Sequence, residues 1–92
     1  MADMNTDKKN NEQIDIEKDQ IHSLILHNDD YHSFDYVIKA LVQICALDPV
    51  QATQCTYLIH FKNNCEVKRG LKTILMPMQT ELIRLDLKAE IK

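Results

Sequence analysis

Residues 21–45 read IHSLILHNDDYHSFDYVIKALVQIC, and the change of rhythm inside this stretch decides the fold. Ile21 to Leu26 is mostly apolar and β-compatible, and it stops at His27-Asn28-Asp29-Asp30, a cluster of turn formers. Ser33 then offers an N-cap and Asp35 falls in the following first turn. Phe34, Val37, Ile38, Leu41, Ile44 and Cys45 recur at spacings of three and four. A strand, a polar turn and an amphipathic helix of about 13 residues are predicted.

Toward the C-terminus the punctuation is sharper. Asp48-Pro49-Val50-Gln51 combines a capping Asp, a Pro suited to the first helical position and a Gln able to close a capping box. A second helix therefore begins there, burying Ala52, Cys55 and Ile59 with Thr56 beside them, and ends over Phe61-Lys62-Asn63-Asn64, where Asn suits a left-handed turn. Cys65-Glu66-Val67-Lys68 alternates like a strand with one buried face, closed by Arg69-Gly70. Leu75, Met78, Leu82 and Leu85 predict a third helix over about Thr73 to Asp86, with Pro77 tolerated only near its start. Leu87, Ala89 and Ile91 alternate with Lys88 and Glu90 as a last short strand. The order β-α-α-β-α-β implies an α+β, two-layer sandwich, in which three helices cover one side of a small three-stranded antiparallel sheet.

Toward the N-terminus the pattern dissolves. Residues 1–20 mix charges of both signs with Asn and Gln and offer only Ile14 and Ile16 as sizeable hydrophobes near the domain, so a disordered tail over 1–20 and one domain over 21–92 are expected. Such a tail is either padding or a short segment that engages a partner. It has no apolar core of the signal-peptide kind, and no run approaches a bilayer span, so a cytoplasmic protein is expected. The chain of 92 residues is 45% hydrophobic, which suffices for one core without metal or disulfide staples. A net charge of −3 with interspersed signs lacks the basic stripe that nucleic acid requires. Cys45, Cys55 and Cys65 form no Cys-x-x-Cys pair and read as reduced core thiols.

The chemistry that remains is sparse. A single glycine, Gly70, excludes phosphate-binding loops, and neither a G-x-S-x-G elbow nor an H-E-x-x-H helix is present. No catalytic residue, cofactor or metal is expected. The polar knot Asn28-Asp29-Asp30 with His32 lies at the strand-to-helix junction; taken alone it is a turn that stops a strand. His60, near the end of the second helix, taken alone complements the helix dipole. A metal site made from Asp29, Asp30, His32 and His60 matches no standard ligand spacing. Cys55 and His60 stand about 140° apart around a helix, a poor arrangement for a nucleophile and its base.

Taken together, Leu26-His27-Asn28-Asp29-Asp30-Tyr31, Phe34-Asp35-Tyr36-Val37-Ile38, Ala52-Thr53-Gln54 and His60 resemble the ClpS family of N-degron adaptors, with no gap needed from Leu24 to His60. The resemblance covers about 70 residues, and the stretch around Cys65 and the Leu87-Lys88-Ala89-Glu90-Ile91 end look like the variant of Bacteroidetes-type members. It implies a fold shared with the C-terminal domain of the ribosomal stalk protein. It also implies a non-enzymatic adaptor that binds proteins beginning with Leu, Phe, Tyr or Trp and delivers them to a Clp AAA+ unfoldase, ClpA-like or ClpC-like, with the tail as the docking segment.

Carried over residue by residue, the grip on the substrate's α-amino group falls on Asn28, Asp30 and His60, with Asp29 adjacent and acting through water. The hydrophobic pocket falls on Leu26, His32, Phe34, Val37, Thr56, Ile59 and Leu87. An α-ammonium has three donors, which an amide oxygen, a carboxylate and a neutral imidazole can accept. Phe34 and Thr56 stand where the family commonly has methionine and Ser33 where proline is usual, which leaves the ranking of first residues open. A monomer is expected. Two other readings stay open beside it: a stalk-like assembly domain without N-degron binding, since fold alone does not choose, and a metal-dependent hydrolase.

Overall fold

The structure, a computed structural model, describes residues 20–92. The predicted tail over 1–20 thus lies, apart from Gln20, outside the described residues. From there the chain runs β1 (Ile21–His27), α1 (Phe34–Cys45), α2 (Pro49–Lys62), β2 (Asn64–Leu71), α3 (Lys72–Arg84) and β3 (Lys88–Ile91), the order that periodicity predicts. β1 is the central strand of an antiparallel sheet ordered β2-β1-β3.

Local chemistry sets the helix starts. Ser33 accepts the Tyr36 N–H at 3.2 Å, and Asp48 and Gln51 close a reciprocal capping box, with the Gln51 N–H on Asp48 Oδ1 at 2.9 Å. α2 ends on Asn63 in the left-handed conformation, φ 78°. The end of α1 is less orthodox, because Ala46 takes φ 58° and Lys68 reaches over from β2 to donate to the Cys45 carbonyl at 3.1 Å. That ammonium neutralises the negative end of the helix.

Leu24 and Leu26 point from β1 into the core, where they meet Cys65 and Val67 of β2 and the buried stripes Val37, Ala40, Leu41 and Cys45 of α1, Ala52 and Ile59 of α2, and Leu75 and Leu82 of α3. The opposite face of β1 holds Ser23 and His27, which bond across the sheet to Glu66 at 2.9 Å and Glu90 at 2.7 Å. A bulge keeps this alternation in step: Leu24 faces Lys68 but Ile25 faces Glu66, so Val67 is the residue passed over.

Four expectations need correcting. Arg69-Gly70 does not close β2, which continues to Leu71 because it pairs with β1 along its whole length, Gly70 opposite His22. Nothing lies within 4 Å of where a Cβ would stand on Gly70, and its φ is not positive, so this glycine carries no turn. Pro77 lies well inside α3, not near its start. Its ring removes the bond to the Thr73 carbonyl, and both residues are exposed, so water can satisfy that oxygen. Finally, α3 stops at Arg84, and Asp86 turns the chain at φ 67°. Leu87 thereby falls just ahead of β3 while remaining buried.

The three cysteines are free thiols. Burial pushes Cys45 up to about 11, and burial together with the contact to Cys55 pushes Cys65 up to about 12. Cys65 Sγ lies 3.0 Å from Cys55 Sγ, the one half-exposed member. Iodoacetamide at neutral pH is therefore expected to label Cys55 first and Cys45 only after denaturant is added, an order that peptide mapping by mass spectrometry reads directly.

Candidate functional site

The site grows from the end of β1. His27 pairs with Asn64, the residue after the cap of α2, and the next amide, Asn28 N–H, donates to the Asn63 carbonyl at 2.8 Å. The polar turn after β1 is thus tied to the C-terminal end of α2. His60 stands three residues before that cap, so the helix end that bears it is joined to the turn that bears Asn28 and Asp30.

Within the Asn-Asp-Asp run the residues divide. Asp29 is spent on structure, for its Oδ1 accepts the Tyr31 N–H at 2.8 Å and the His32 N–H at 2.9 Å, and its Oδ2 lies 3.0 Å from His32 Nδ1. His32 is sandwiched in turn, stacked on Tyr36 at 4.6 Å with its other nitrogen 3.8 Å from Asp86. Tyr36 reaches past it to donate to the Leu85 carbonyl at 2.8 Å, pinning α1 to the end of α3. Among the described residues, by contrast, no side-chain hydrogen-bond partner is found for Asn28, Asp30 or His60. Asn28 is half-buried and the other two are exposed. Asp29 and His32 come together, whereas His60 meets Phe34, at 5.2 Å between ring centres. No group of three or more metal-ligating side chains comes together among the described residues.

Burial raises the Asp29 pKa, but the hydrogen bonds from the His32 side chain, from the His32 and Tyr31 amides, and the charge of His32 outweigh it and hold the carboxyl below its ordinary value. A carboxyl depressed in the folded state contributes stability above its unfolded value and loses it as pH falls through the folded value. Wild type is thus expected to lose stability as pH drops below about 4, and Asp29→Asn to lose less over the same window, measured as melting temperature against pH. Equal slopes for the two proteins would contradict the turn-holding role.

The apolar residues assigned to the pocket also divide. Leu26, Val37, Thr56 and Ile59 are nearly closed off, with Val37 and Ile59 still 8% and 5% exposed. The Thr56 hydroxyl donates to the Ala52 carbonyl at 2.8 Å, so a methyl is what it adds to its surroundings. His32 and Leu87 instead line an open basin of about 450 Å³ with Asp29, Tyr31, Ile83, Asp86 and Lys88. Phe34 stands half-buried with its ring edge-on to Tyr57 at 5.2 Å and near His60. Sequence reading gave Tyr57 and Phe61 no site role; Tyr57 sits three residues before His60 and Phe61 four after Tyr57, a signal present but not distinguishable from ordinary surface.

The sequence matches the family described as ATP-dependent Clp protease adaptor protein ClpS over residues 17–90. This chain belongs to the ClpS family. An ATP-dependent Clp protease adapter protein ClpS of Clostridium acetobutylicum is 38% identical over 45 residues, which is 49% of this chain and 45% of that protein. The ClpS of Vibrio atlanticus is 30% identical over 61 residues, 66% of this chain and 58% of that protein. The matched stretches thus span about half the length of these two relatives. Agrobacterium tumefaciens ClpS2, solved bound to L-phenylalaninamide, superposes with a TM-score of 0.75 at 16% identity, covering 79% of this chain and 95% of that one. The ClpS fold is therefore present. Among the described residues no helix is long and apolar enough to cross a membrane.

Proposed function

We propose that this protein is an adaptor that captures proteins by a bulky hydrophobic N-terminal residue and delivers them to a Clp AAA+ unfoldase, without catalysing a reaction itself. The observation that carries the reading is the hydrogen bond from the Asn28 amide to the Asn63 carbonyl, which ties the turn bearing Asn28 and Asp30 to the end of the helix bearing His60, with no side-chain hydrogen-bond partner for these three among the described residues. An amide oxygen, a carboxylate and an imidazole nitrogen are three acceptors for the three donors of an α-ammonium. Asp29 holds the turn that presents them. The first side chain enters beside Phe34, over the outer edges of Val37 and Ile59 and toward the rim at His32 and Leu87, with Leu26 and Thr56 as the floor. The solved relative's ligand, an amino-acid amide with a free amine and an aromatic side chain, has the chemistry this arrangement suits.

Membership of the ClpS family supports the delivery half of the reading. The adaptor acts as a cytoplasmic monomer, and residues 1–20 supply the segment that engages a ClpA-like or ClpC-like ring.

Fluorescence anisotropy of labelled peptides that differ only in their first residue tests the capture half. Leu, Phe, Tyr and Trp are expected to bind and Ala not, since burying a large apolar side chain contributes about 1.5–3 kcal/mol. Binding that ignores the first residue would sink the reading.

A further inference from the structure

Both phenylalanines of the chain and one of its three tyrosines gather around His60. Phe34 lies 5.2 Å from Tyr57 and 5.2 Å from His60, His60 lies 4.8 Å from Phe61, and Tyr57 stacks on Phe61 at 6.0 Å with the rings 4° from parallel. The contacts are edge-to-face where rings cross and parallel along the helix, the arrangements aromatic quadrupoles favour. Yet Tyr57 and Phe61 stay 50% and 70% exposed. Past Tyr57 the surface continues into a shallow depression lined by Pro49, Val50, Thr53 and Gln54. Two large rings in water, continuous with an ammonium-binding residue, need a reason.

We propose that Tyr57 and Phe61 form a subsite for the side chain of the substrate's second residue and select an aromatic or large aliphatic group there. The inference rests on the reading of Asn28, Asp30 and His60 as the ammonium anchor. With the ammonium at His60 and the first side chain beside Phe34, the second Cα lies about 3.8 Å further along the peptide. Successive side chains of an extended segment point to opposite sides, so the second leaves the pocket and turns out over its rim. Phe34 and His60 already touch Tyr57 and Phe61, which makes these two rings the apolar surface within reach. Asp30, Asp35 and Lys62 are exposed and charged and offer a large apolar side chain nothing.

The test is the ratio of dissociation constants for two labelled peptides that begin Leu-Ser and Leu-Phe and are otherwise identical, each also N-acetylated. Wild type should prefer Leu-Phe by roughly two- to tenfold, the range of one aromatic contact. Tyr57→Ser/Phe61→Ser should bring the ratio to about one, and Tyr57→Phe/Phe61→Tyr should restore it; circular dichroism confirms that each variant is folded. Equal binding of the two peptides by wild type, with both lost on acetylation, overturns the subsite and leaves the anchor standing. A preference that survives the serine substitutions overturns it as well. So does a concentration-dependent dimer abolished by those substitutions without any second-residue preference, because the rings would then cover another copy of the chain. Failure of every leucine-led peptide to bind overturns the anchor and the subsite together.

Discussion

N-acetylation of a leucine-led peptide is expected to weaken its binding to this protein by roughly 10- to 150-fold, and His60→Ala to weaken the free peptide by about tenfold. Acetylation removes the positive charge and replaces three donors by one. A hydrogen bond to a charged group contributes about 1.5–3 kcal/mol, and leaving one unmade at a desolvated site costs a similar amount. The single substitution has the smaller effect because His60 is exposed, so water partly replaces it. Asn28→Ala, at a half-buried position, should cost at least as much as His60→Ala. Anisotropy titrations of the free and acetylated peptides against wild type and the two variants read all of this. Equal affinity for free and acetylated peptides would end the ammonium reading, whatever the variants do.

Leu24→Ala is expected to lower stability by about 2–5 kcal/mol, the largest effect of any single truncation considered. Leu24 is fully buried in the central strand, paired with Lys68 on one side and Ile91 on the other, so the cavity it leaves cannot close without moving two ladders. A domain of about 70 residues has only about 4–10 kcal/mol in all, which makes a partly unfolded protein at 37 °C the expected outcome. Gly70→Ala, in the neighbouring strand, should stay within about 0.5 kcal/mol of wild type, because no atom stands where the methyl would go. Urea titration of both variants by circular dichroism gives the comparison. A Leu24→Ala midpoint close to wild type would mean that the sheet repacks more freely than its register suggests.

Most of the architecture was legible in local chemistry. Ser33, the Asp48–Gln51 box and Asn63 act within four residues of where they stand, and the three- and four-residue spacing of Val37, Leu41 and Cys45 needs nothing outside its own helix. The misreadings share a cause. Gly70 and Pro77 carry strong local signals that long-range pairing and solvent exposure overrode: β1 holds β2 extended through Gly70, and the carbonyl that Pro77 strands is exposed where water can reach it.

Sequence alone determined the element order, the turn after β1 and the candidates Asn28, Asp30 and His60, since propensity, capping and motif spacing are properties of neighbours along the chain. Only the tertiary structure decided that Asp29 is consumed by its own turn, that this turn is tied to the C-terminal end of α2, and that Phe34 and Phe61 flank His60 with Tyr57 beside them. Those outcomes hang on the pairing of His27 with Asn64 and on the packing of α1 against α2, contacts between residues far apart in the chain. Their register is set by which faces the whole core can bury at once, and no window of local sequence contains that information.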